Sequence, residues 1–235
     1  MSIAEKLTQV AENVPKVYDA GYSKAERYAW DLFTNYGSRV FYEYAFNGSG
    51  FEYIRPPYKI TPTSRSICMF EDARKLKRVE KAYFDLSKGS ITTQGAGTGG
   101  HYCTFRCTSG VTALEVIEDI GMQAGGYYQT FWGDTKLHTI EVLRVREDTN
   151  YSATFNKCYE LVNLTIEGTI GRNSFDVSYS PKLSHDSLMS IINALKDYSE
   201  DTSGTSWVVT LGAENLAKLT DAEKAIATEK GWTIG

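Results

Sequence analysis

An α/β chain is what the sequence predicts: a short β-solenoid of leucine-rich repeats, between an N-terminal helical segment and an α/β C-terminal cap. Three observations predict it. A phenylalanine, a leucine six residues on and an aliphatic three further recur as Phe70-Leu76-Val79, Phe131-Leu137-Ile140 and Phe155-Leu161-Leu164. The leucine column, at 76, 114, 137, 161 and 183, is spaced by 38, 23, 24 and 22 residues, and three of these intervals fall within the roughly 20 to 29 expected of such repeats. Both chain ends carry helix-type apolar spacing instead.

Residues 1–37 form the helical segment. Ile3, Leu7, Val10, Val14 and Val17 follow a 4-3-4-3 spacing that places them on one seam. A seam of two heptads is marginal alone, since Pro15 interrupts it and Gly21 ends it, so it predicts attachment or homo-oligomerisation. Ser23 and Glu26 make a capping-box pattern for a second helix through Tyr28, Trp30, Leu32 and Phe33, with Gly37 near its end. Residues 38–66 turn aromatic and β-favouring, broken at Asn47-Gly48 and Pro56-Pro57, which predicts a hairpin and an extended connector.

Residues 67–183 carry the repeats. No unit is long enough to bury its own apolar face, so neighbours must stack into one core. Two units depart from the frame: Phe105 precedes Leu114 by nine residues, and Val177 stands where the last unit should have an aromatic. The long interval contains the glycine-rich insertion 89–101, read as a surface loop. Residues 184–235 read as the cap. Leu188, Ile191, Ile192 and Leu195 follow the candidate N-cap Ser184 at i, i+3, i+4, i+7; a strand is expected from Trp207 to Leu211, and a helix from the Thr220–Glu223 capping box to Lys230-Gly231.

Composition excludes several function classes. The chain has 235 residues and a net charge of -4, with its basic residues scattered, which is unlike the clustered cationic face of a nucleic-acid binder. No stretch reaches the roughly 18 apolar residues of a membrane span, and the opening MSIAEKLTQVAENVPK lacks the layout of a signal peptide.

The repeat frame resembles the BspA-type leucine-rich repeat. The closing segments KLSHDSLMSIINALKDYS and VVTLGAENLAKLTDAEKAIATEKGWTIG, with the opening MSIAEKLTQVAENVPKVYDAGYSKAE, resemble the ends of such proteins encoded by phages and prophages of gut Firmicutes. What the resemblance implies is a virion-linked, tail-associated protein contacting the bacterial surface, made in the host cytoplasm and freed by lysis. The expected partners are a bacterial surface protein or glycan, or other tail proteins; a structural tail component and a cell-wall or glycan hydrolase are the alternatives.

No constellation of catalytic groups stands out, so no enzyme activity, metal or cofactor is expected. His101, Cys103 and Cys107, with Cys158, could offer nitrogen and thiolates to zinc, but they lack paired short knuckles. Cys68 and Cys103 each precede the repeat phenylalanine by two residues and are expected on equivalent rungs, as buried free thiols or, alternatively, as a disulfide. The glycines at 95, 97, 99 and 100 lack the Lys-Ser/Thr of a phosphate loop, and Ser184-His185-Asp186-Ser187 cannot form a relay among neighbours at a helix start. The acidic pairs Glu118-Asp119 and Glu147-Asp148 read as solvated edges rather than glycosidase carboxylates. The aromatic content of 13% exceeds what one core column needs, and Tyr127, Tyr128 and Trp132 are the expected exposed binding residues.

Overall fold

The computed structural model describes residues 45–56, 59–61, 67–87, 103–110, 112–123, 126–172 and 175–235. Within them the chain is mixed α/β, built on a four-stranded parallel sheet: β1 (Arg78–Val79), β2 (Val116–Ile117), β3 (Thr139–Val145) and β4 (Asn163–Gly168). Strand order in space equals order in the chain. Each strand opens two residues after a leucine of the repeat column, and Arg78, Val116, Thr139 and Asn163 are successive partners in register. Parallel pairing requires the chain to return to the same end before each new strand, and the 23 or 24 residues between neighbours such as Leu137 and Leu161 supply that return.

A peptide rung runs beside the leucine column. Ser184 N–H donates to the Val162 carbonyl, Val162 to His138, His138 to Glu115, Glu115 to Lys77, and Lys77 to Glu52, all at 2.8–2.9 Å. Leu76, Leu114, Leu137, Leu161 and Leu183, one residue before each, are all buried. A shared turn spaces phenylalanine and leucine. The Phe131 carbonyl accepts from Asp134 N–H, and the Asp134 carbonyl accepts from Leu137 N–H; the same pair of bonds recurs at 70-73-76, 155-158-161 and 177-180-183. Val177 therefore occupies the phenylalanine position of its segment. The segment of Phe105 is longer and uses Gly110 N–H to Cys107 O instead.

The phenylalanines form a continuous column. Phe46, Phe70, Phe105, Phe131 and Phe155 stack with centroids 5.3, 5.0, 5.8 and 5.7 Å apart. Phe46 heads this column. Phe46 N–H bonds Met69 O and Gly48 N–H bonds Glu71 O in the next segment, and residues 38–44, which the hairpin expected at Asn47-Gly48 needs for its first arm, lie outside the described residues. Residues 45–56 and 59–61 thus join the stack, with Ile54 and Ile60 buried in its core. Ion pairs such as Arg55–Glu80, Arg78–Glu118 and Arg106–Glu71, and Arg144 between Asp119 and Glu167, tie neighbouring segments along the surface.

The C-terminal region closes the sheet. Helix α1 (His185–Ala194) is capped by Ser184, whose hydroxyl accepts from Ser187 N–H, as its sequence predicts. It lies against β4, and two of its serines take over the strand's outward bonds: Leu164 N–H donates to Ser187 Oγ and Ile166 N–H to Ser190 Oγ, both at 2.9 Å. A bare strand edge is a template for unwanted pairing, and these hydroxyls occupy it. Beyond lie β5 (Trp207–Val209), α2 (Ala213–Leu216), α3 (Asp221–Glu229) with its Thr220–Glu223 capping box, and β6 (Trp232–Ile234), parallel to β5. The expected strand is thus shorter, since Thr210 leaves the β5–β6 pairing to bridge Asp176, and α2 and β6 add to the expected elements. Among the described residues no helix is long and apolar enough to cross a membrane. The seam of Ile3, Leu7, Val10, Val14 and Val17, the helix expected after Ser23, and the insertion 89–101 with His101 lie outside the described residues.

Candidate functional site

Of the three aromatics expected at the surface, Tyr127 is fully buried. It stands four residues before Phe131 and begins a second core column, stacking on Tyr151, which meets Phe175 edge-on. Its hydroxyl donates to the Arg144 carbonyl at 2.7 Å, the partner that a buried tyrosine needs. Burial raises its pKa. Tyr128 and Trp132 are half-buried, and the Lys157 ammonium lies 4.4 Å from the Trp132 ring centroid, over its face. The expected recognition patch is therefore reduced to two partly covered rings.

The four cysteines are buried free thiols. Cys68 and Cys103 do lie on neighbouring rungs, where a hydrogen bond with Cys103, then burial, raises the Cys68 pKa. Among the described residues no group of three His, Cys, Asp or Glu is placed to hold a metal ion. Ser184 acts as a helix cap, and His185 Nε2 lies 2.8 Å from Glu223 on α3. Glu118 pairs with Arg78 and Asp119 with Arg144, whose hydrogen bond lowers the Asp119 pKa.

A concave feature of the described surface lies where the sheet segments meet the C-terminal region. A groove of about 690 Å³ is lined by Glu147, Asp148, Asn150, Ser152, Gly171, Arg172, Tyr198 and Trp207. Three stretches supply it: the turn after β3, the segment after β4, and the chain beyond α1. They meet because the segments are in register: Ile170 bridges Leu195, and Lys196 reaches Glu147. Gly171 is required by this approach, since a Cβ there would stand 2.6 Å from the Glu147 carbonyl oxygen.

One wall is aromatic and fixed. Tyr198 and Trp207 stack face to face, 3.8 Å apart and 3° from parallel. The Tyr198 hydroxyl donates to Gly171 O at 2.8 Å, and Trp207 Nε1–H donates to Asp201 at 2.7 Å. No protein-family model, curated protein or solved structure matches the chain. Its chemistry is therefore read from this groove. Both carboxylates in the lining already have cations: Glu147 pairs with Lys196 at 2.7 Å and Asp148 with Arg146 at 3.3 Å. The bond to Glu147 also raises the Lys196 pKa.

Sequence reasoning had considered Glu147-Asp148 but not Asn150, Ser152, Arg172, Tyr198 or Trp207 as site residues. The 24-residue offset from Glu147 to Gly171 is the signal that joins the first two stretches. Nothing in the local pattern announces the stacked Tyr198–Trp207 wall.

Proposed function

We propose that the chain is a non-enzymatic binding protein, a leucine-rich-repeat solenoid of the BspA type carried on a phage virion, which recognises the bacterial host surface through the groove beside its cap. The observation that carries this reading is the unbroken peptide rung from Glu52 to Ser184, six segments joined one upon the next. Such a stack makes an extended rigid face from short units, an architecture suited to surface recognition. The groove adds a concave site with a preorganised aromatic wall, and rigid aromatics give contact area at low entropic cost. The virion setting follows from the resemblance of the two end segments.

The test is retention of the purified chain on intact cells of gut Firmicutes strains, compared with purified phage tails and wall glycans. Retention on cells, reduced by Trp207→Ala in a folded variant, supports the reading. Co-purification with tail proteins alone would assign the chain to the tail structure instead. Release of reducing ends from wall glycans would make it a hydrolase.

A further inference from the structure

Resting on that reading, we infer that the groove takes an acidic saccharide, a sugar chain bearing carboxylate or phosphate groups, and that Arg172 reads its charge. The inference comes from separating the groups the fold has used from those it has left over. Glu147, Asp148, the Tyr198 hydroxyl and the Trp207 indole N–H are all engaged within the protein. Three lining groups are not. Among the described residues the exposed Arg172 guanidinium has no carboxylate partner, and the Asn150 amide nitrogen and Ser152 hydroxyl have no hydrogen-bond partner. Asn150 is held in place by its other atom, Oδ1, which accepts from Ser152 N–H at 2.9 Å.

The unused set is rich in donors: a guanidinium with five N–H groups, an amide with two, and a hydroxyl. A ligand that satisfies it must be rich in acceptors, and a charged oxygen is the strongest partner for the guanidinium. The lining carboxylates add no uncompensated negative charge, because Lys196 and Arg146 neutralise them. Arg172 therefore sets the sign of the ligand. The aromatic wall sets its other half: Tyr198 is covered by Trp207 on one face and by the Lys196 ammonium, 5.1 Å from its centroid, on the other, so the apolar C–H face of a sugar ring lies against Trp207 while its hydroxyls meet Asn150 and Ser152. A volume of about 690 Å³ falls within the range of small-ligand sites, so a short stretch of such a chain fits.

Titration calorimetry of the full chain with tetragalacturonate, a phosphorylated tetrasaccharide and neutral maltotetraose tests this. One or both acidic probes should bind more tightly than the neutral one, and the difference between them tells carboxylate from phosphate. Arg172→Gln, an exposed substitution whose unchanged melting temperature certifies folding, should weaken acidic binding about tenfold or more. Arg74→Gln, a charge removed elsewhere, should not. Equal binding of the neutral probe, or undiminished binding by Arg172→Gln, overturns the inference. So does retention on bacterial cells with no affinity for any saccharide, which leaves the broader binding reading standing. Acidic-saccharide binding without retention on cells overturns that broader reading and upholds this one.

Discussion

The α-carbon of Gly133 faces the Cys107 carbonyl oxygen so closely that an added Cβ would stand 2.1 Å from it. The two residues belong to adjacent segments, and Cys107 N–H also bonds Trp132 O at 2.8 Å. Gly133 has φ +85°, and the equivalent Asp72 and Lys157, also two residues after a column phenylalanine, have φ +53° and +66°. The left-handed backbone is thus shared by these three residues, though not by Cys107 in the longer Phe105 segment, whereas the crowding demands glycine at 133. Gly133→Ala should cost about 3 kcal/mol or more, combining left-handed strain with overpacking. Gly110→Ala, with φ +66° but open space around it, should cost about 1 kcal/mol. Urea melts of the two variants check this, and equal losses would contradict the close approach.

The phenylalanine column makes a second prediction. Phe131 has a stacked neighbour on each side, Phe105 at 5.8 Å and Phe155 at 5.7 Å. No adjacent chain can slide into the hole left by truncation, because both flanking rings are fixed in their own segments. Phe131→Ala should lose about 3–5 kcal/mol. Tyr159→Ala, at a ring 44% exposed, should stay within about 0.5 kcal/mol of the parent. Chemical denaturation followed by far-UV circular dichroism measures both.

The leucine column was legible because every strand reuses it, so the register survived even where Phe105 broke the frame. The first segment was not legible, because Phe51 stands at its leucine position, one residue before Glu52 of the rung, and the phenylalanine-leucine interval is lost. Tyr127 was misjudged for a different reason. Alternation along a strand would expose one ring of Tyr127-Tyr128 at random, but Tyr127 lies outside the named strands, at the start of a second column. The left-handed residues two before each phenylalanine, Cys68, Cys103, Gln129 and Ala153, with φ from +51° to +54°, gave no warning because none is glycine or asparagine. The groove draws on three segments, so no single window of sequence contains it.

Asp134 links the turn geometry to pH. It occupies the middle position of the 131-134-137 turn, is 1% exposed, and its Oδ2 has no hydrogen-bond partner among the described residues. Burial raises its pKa well above the usual carboxylate range, against a smaller opposing effect from the Thr112 hydroxyl. The folded state therefore keeps a proton that the unfolded chain releases near pH 4. Between those two values the unfolded state binds fewer protons, so this contribution is complete below about pH 4 and is lost as pH rises through the folded-state value. Asp134→Asn removes the ionisation. Relative to the parent, its melting temperature should gain more at pH 7 than at pH 4; a constant difference would place an ionised Asp134 in the folded state.

The serines of α1 carry the last prediction. Ser187 Oγ accepts from Leu164 N–H and donates to Val162 O at 3.0 Å, so one hydroxyl completes a backbone N–H at the outer edge of β4 and gives the Val162 carbonyl a second donor beside Ser184 N–H. Ser190 Oγ completes a second N–H, that of Ile166. Ser187 is buried, and water cannot replace its hydroxyl without opening the helix-strand contact; Ser190 is half-buried and more readily substituted by solvent. Ser187→Ala should cost about 1–3 kcal/mol, the penalty of an unpaired buried backbone group, and Ser190→Ala less. Loss of both should do more than add, because detaching α1 uncovers the strand edge to other chains. A double-mutant cycle in urea gives the coupling, and light scattering near the midpoint should report association in the double variant alone. Independent losses with no association would mean that packing by Leu188, Ile191 and Ile192, not the hydroxyls, keeps the edge closed.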